Sequence, residues 1–127
     1  MPDPHSCHHV LVVEDDPSTR EVICHVLERE TYRVTTADNG REALRLLQSE
    51  EHPCVILLDL FMPVLNGDEV CAELMKDPHL SKIPVIMISA QGSLEEERET
   101  PNIVAFFRKP FPFLRLLKMV EECCQRK

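Results

Sequence analysis

A single carboxylate, Asp59, stands inside the apolar run VILLDLFMP, residues 55–63. Three more, Glu14, Asp15 and Asp16, follow directly on the run HVLVV. Ser89 ends IPVIMIS, and Lys109 stands two residues past the end of NIVAFF. Each of these polar side chains lies at or just past the C-terminal end of an apolar segment. If those ends share one edge, three or four carboxylates meet a hydroxyl and an ammonium there. Carboxylates crowded together repel one another and hold their protons more tightly. A divalent cation removes that repulsion. A small, oxygen-only ligand set with room for water and phosphate oxygens suits Mg²⁺. A carboxylate beside such a cation can attack phosphorus to give an aspartyl phosphate. The lysine and the hydroxyl can then stabilise charge on the transferred group. The residue chemistry points to a Mg²⁺-assisted phosphoryl acceptor.

Those side chains must be positioned by the segments that carry them. HVLVV (residues 9–13) reads as a buried strand, and Asp16 and Pro17 suit the N-cap and first position of a following helix. Val22, Ile23, Val26 and Leu27 then recur at helical spacing. YRVTTA is a second strand, followed by a helix with Ala43, Leu44 and Leu47 on one face. CVILLDL is the third strand, and the next helix presents Val70, Leu74 and Met75. IPVIMIS is the fourth strand, with its proline suited to an edge or a first residue. NIVAFF is the fifth, and the closing helix carries Phe113, Leu116, Leu117 and Val120 on one face. Strands that are nearly continuous apolar runs, alternating with helices, predict an α/β fold: a parallel sheet covered on both faces. Ligands of such sheets bind beyond the carboxyl ends of the strands. That is where the polar set falls.

The segments VLVVEDDPSTR, ADNGREAL, VILLDLFMPVLNGDEVC, IPVIMISA and FRKPF stand in one order across residues 9 to about 120. In that order and spacing the chain resembles the receiver domain of two-component response regulators, the CheY-like fold. The resemblance implies a doubly wound, five-stranded (βα)5 sheet of the flavodoxin type with strand order 2-1-3-4-5. It implies that Asp59 accepts the phosphoryl group and that Asp15 binds Mg²⁺. Glu14 would assist the metal directly or through water, and the backbone carbonyl of Phe61 would give a further oxygen. Ser89 would contact the phosphoryl group and report its presence. Lys109 would pair with the phosphoryl oxygens, its bond to Pro110 being cis. Phe106 takes the aromatic switch position, as phenylalanine rather than the commoner tyrosine. The donor would be a histidine kinase or a histidine phosphotransfer protein. Activity would be limited to self-phosphorylation and self-dephosphorylation. The protein would act as a monomer or as a phosphorylation-dependent dimer.

Other function classes fit less well. Phosphatases of the haloacid dehalogenase class need a second aspartate two residues after the nucleophile, where this chain has Phe61. The formal charge of −8 argues against general nucleic-acid binding. No apolar run approaches the roughly 18 residues of a membrane span, and MPDPHSCHH lacks a signal pattern. A cytoplasmic location is expected. The 127 residues, 43% of them hydrophobic, suit one domain with its own core. Residues 1–8 are read as a disordered segment and 9–127 as the domain. Cys24, Cys54 and Cys71 read as reduced core residues, and Cys123 and Cys124 as free thiols. HSCHH offers imidazole and thiolate ligands, but it falls on the terminus and is not read as a metal site.

One segment departs from the family pattern. SLEEERETP offers only Leu94 as an apolar anchor before Pro101, so a short or irregular fourth helix is expected there. Residues 91–100 carry four glutamates and one arginine, whereas residues 108–127 carry six basic residues and two glutamates. Adjacent acidic and basic patches are most simply solvated faces, and otherwise a partner or self-association site. The weak helix also motivates an alternative, a constitutive protein-interaction module that does not depend on phosphorylation.

Overall fold

Five parallel strands carry the apolar runs, side by side in the order Arg33–Ala37, His9–Val13, Val55–Asp59, Val85–Ser89 and Ile103–Arg108, which is 2-1-3-4-5 in chain numbering. They are seen in a computed structural model, which describes residues 8–49, 51–62, 64–89 and 101–125. The elements are β1 (His9–Val13), α1 (Pro17–Arg29), β2 (Arg33–Ala37), α2 (Gly40–Leu47), β3 (Val55–Asp59), α3 (Gly67–Met75), β4 (Val85–Ser89), β5 (Ile103–Arg108) and α4 (Phe113–Gln125). A single turn of 3-10 helix, Leu80–Lys82, precedes β4. Fold class and strand order are as expected. The short fourth helix anticipated after Ser89 falls on residues 90–100, outside the described residues, as do residues 1–7. The closing helix is therefore α4 here.

Every position of β1, β3 and β4 is buried, whereas the edge strands are more open: β2 buries Ala37 alone, and the positions of β5 are half-buried or exposed. Side chains alternate across a strand, so each central strand feeds two cores. Leu11, Val13, Ile56, Leu58, Val85 and Met87 pack with Ala43 and Leu47 of α2 and Val70 and Leu74 of α3. Val10, Val12, Val55, Leu57, Ile86 and Ile88 pack with Ile23 and Leu27 of α1 and Leu116 and Val120 of α4. This two-sided demand is why the strands read as unbroken apolar runs.

Local chemistry sets the helix starts. Asp16 caps α1 by accepting the Thr19 N–H at 2.9 Å, and Pro17 opens the helix. Asn39 caps α2 through the Glu42 N–H at 2.8 Å. Asn66 and Glu69 form a reciprocal capping box on α3, at 2.9 and 2.8 Å.

Some sequence expectations need correction. Val22, Met75 and Phe113, assigned to helix faces by their spacing, are exposed. Val22 and Phe113 line one open trough beside the cleft. Cys54 is not a reduced thiol but is disulfide-bonded. Cys24, Cys71, Cys123 and Cys124 are not in disulfides, and the last three are buried.

Candidate functional site

The parallel register brings the ends of β1, β3 and β4 level. Val13 pairs with Leu58, and Asp59 with Ile88, so the residues just beyond face one cleft. Glu14, Asp15 and Asp59 each offer a carboxylate oxygen there, all within 4.8 Å of one another. Glu14 and Asp59 are buried and Asp15 is exposed. This is the acidic cluster that the sequence pattern predicts. The adjoining Asp16 turns away to cap α1 instead.

Lys109 reaches the cleft from beyond β5. Its Nζ donates to Glu14 Oε1 at 2.9 Å and lies 3.8 Å from Asp59 Oδ2. Its backbone N–H donates to the Ser89 carbonyl at 2.8 Å. Lysine and serine are thus joined through the main chain at the end of the sheet. Ser89 is fully buried. The Lys109–Pro110 peptide is cis.

The surroundings hold Asp59 in a costly state. Burial above all, then the neighbouring Glu14 carboxylate, pushes its pKa from 3.8 up to about 7. Lys109 and the Phe61 N–H, 3.4 Å from Asp59 Oδ1, pull the other way without prevailing. Three carboxylates, one of them reluctant to ionise, form a donor set that fits a hard divalent cation such as Mg²⁺. The cation would relieve the repulsion that raises Asp59. Glu14, Asp15 and Asp59 would hold it.

Phe106 pairs with Met87 in the sheet register and packs, half-buried, against the α2–α3 core. It stands on the strand that leads to Lys109. Phe61 projects its side chain outward, 52% exposed. The trough lined by Val22 and Phe113 has a volume of about 430 Å³ and reaches Lys109.

Sequence reasoning passed over two further residues. Gly67 opens α3 directly against the end of β3, and its N–H donates to the Leu60 carbonyl at 2.8 Å. A Cβ at Gly67 would lie 2.9 Å from Leu60 Cα and 3.0 Å from the Asp59 carbonyl oxygen. The available signal was the Asn66–Gly67 pair before an acidic helix start. Arg20, in α1, donates from Nη1 to the Glu14 carbonyl at 2.8 Å. Its only signal was a basic residue close to a helix N-terminus.

Comparison with known proteins agrees with this geometry. Residues 10–121 match the family model of the response regulator receiver domain. A two-component response regulator of Oryza sativa subsp. indica, ORR11, is 39% identical over 84 residues, 66% of this chain and 57% of its own length. The chain therefore spans little more than half of that relative. The chemotaxis protein CheY4 of Vibrio cholerae superposes with a TM-score of 0.82 at 31% identity, covering 93% of this chain and 99% of that one. The receiver domain of the sensor histidine kinase PA1611 of Pseudomonas aeruginosa has a magnesium ion coordinated in its active-site cleft. It superposes with a TM-score of 0.81 at 27% identity, covering 95% and 100%. With the acidic cleft, the β2-β1-β3-β4-β5 sheet and the family match in agreement, the chain belongs to the response regulator receiver domains of two-component signalling.

Proposed function

We propose that the protein is a phosphorylation-switched receiver that accepts a phosphoryl group on Asp59 from a histidine kinase or a histidine phosphotransfer protein. The observation that carries this reading is the meeting of Glu14, Asp15 and Asp59 within 4.8 Å, with Lys109 beside them. Mg²⁺, when bound, supplies charge neutralisation at the carboxylates and at the phosphoryl oxygens.

The chain's own groups account for the remaining steps. An Asp59 carboxylate oxygen forms the new P–O bond as the P–N bond of the donor's phosphohistidine breaks. Asp59 must be ionised to attack, and its raised pKa makes that depend on the cleft's occupancy. Lys109 exchanges Glu14 for a phosphoryl oxygen, a short move for a flexible ammonium. The Ser89 hydroxyl takes a second phosphoryl oxygen. Because the Lys109 N–H is bonded to the Ser89 carbonyl, either displacement pulls on the end of β5. Phe106 lies on that strand, so its packing against the core offers a two-position element for the switch. The open apolar trough by Val22 and Phe113 gives a protein donor a place to rest beside Lys109. Phe61, standing where a hydrolase would place a second acid, favours a stored phosphoryl group over turnover.

Incubation with Mg²⁺ and a small phosphodonor such as acetyl phosphate tests the reading. Formation of a labile adduct that Asp59→Ala abolishes supports it, and a wild-type chain that takes up no phosphoryl group refutes it.

A further inference from the structure

Arg20 is out of place as a helix residue. It is the fourth residue of α1, and a cation near a helix N-terminus opposes the helix dipole. The first turn of α1 carries no acidic residue to offset it. Its interaction instead runs back out of the helix, to the Glu14 carbonyl.

Glu14 is tied down at every polar atom. Its N–H donates to the Ala37 carbonyl of β2 at 3.0 Å. Oε1 accepts from Lys109 at 2.9 Å, and Oε2 accepts from the Asp16 N–H at 3.2 Å. The carbonyl accepts from Arg20, which is half-buried. That carbonyl belongs to the planar peptide joining Glu14 to Asp15. Its orientation sets the direction in which the Asp15 Cα leaves the strand. Glu14 and Asp59 are fixed by burial, but Asp15 is exposed and has no such constraint.

We propose that Arg20 is a positioning residue: by holding the Glu14 carbonyl it aims Asp15 at the cleft and so sets the affinity of the acidic cluster for a divalent cation. The inference rests on reading that cluster as a cation site. Its sign separates it from simple electrostatics. A bare positive charge near a cation site weakens binding, so removing it would tighten binding. A positioning contact does the reverse.

Isothermal titration of the full chain with MgCl₂ tests this, on variants shown to be folded by circular dichroism. Arg20→Met keeps the apolar stem and loses the donor. It should raise the Mg²⁺ Kd about tenfold, the lower end for contacts that orient metal ligands. Arg20→Lys, which keeps a donor, should recover part of that loss, and the melting temperature in chelator should change little in either. Unchanged or tighter Mg²⁺ binding by Arg20→Met overturns the proposal alone. No Mg²⁺ binding by the wild type overturns the cation site and this inference with it.

Discussion

Lys109 Nζ lies 2.9 Å from Glu14 Oε1 but 3.8 Å from Asp59 Oδ2. The ammonium of the cleft is therefore parked on the buried neighbour of the proposed phosphoacceptor. It lowers the cost of two facing carboxylates without committing to Asp59.

Removing that ammonium should push Asp59 further from its ordinary ionisation. In Lys109→Met, the pKa of Asp59 in metal-free buffer should rise above the present value of about 7, because the main opposing charge is lost. A pH titration of the Asp59 side-chain carbon by NMR checks this. A fall in the value would show that Lys109 does not act on Asp59 electrostatically.

Stability should depend on pH in a direction set by the same shift. Asp59 has a folded pKa raised from 3.8 to about 7. Its contribution to stability is full below pH 3.8 and is lost as pH rises through about 7. Asp59→Asn removes this loss. Above pH 7 in chelator the variant should be more stable than wild type by about 2 kcal/mol, roughly half the full equivalent of the shift because water reaches the cleft. The difference should shrink towards zero on acidification. Urea unfolding across the pH range measures it. A gain that is constant with pH would assign it to packing instead.

Mg²⁺ should stabilise the wild type at neutral pH. At ten times its Kd, linkage gives about 1.4 kcal/mol. Asp15→Asn and Asp59→Asn should each lose most of that increment. Thermal melts with and without the ion provide the comparison, and equal stabilisation of all three proteins would place the ion elsewhere.

Gly67 should tolerate no side chain. Gly67→Ala would drive a Cβ to 2.9 Å from Leu60 Cα and from Met87 Sδ. Backbone cannot yield there as a flexible side chain does. We expect a loss of about 2 kcal/mol together with weaker Mg²⁺ binding, because the displaced strand end carries Asp59. Chemical denaturation and titration with MgCl₂ read the two effects. Unaltered values in both would show that α3 can shift freely from β3.

The sheet and its order were legible because β1, β3 and β4 are buried on both faces and so stand out as continuous apolar runs. Helix starts were legible where one side chain makes the cap, as Asp16 does. Periodicity misplaced Val22, Met75 and Phe113 because it reports an apolar face and not what covers it. The acidic cluster could be read from strand ends alone. Arg20 could not, since its partner is a main-chain carbonyl that no residue type announces. The disulfide of Cys54 was missed for a related reason: a cysteine in an apolar run packs equally well reduced.

The most direct measurement is mass-spectrometric mapping of the phosphoryl group after incubation with Mg²⁺ and acetyl phosphate. A single modification on the peptide that contains Asp59, absent in Asp59→Ala and without Mg²⁺, is the predicted result. No modification of the wild type, or an equal yield in Asp59→Ala, would contradict the proposal that Asp59 is the switch.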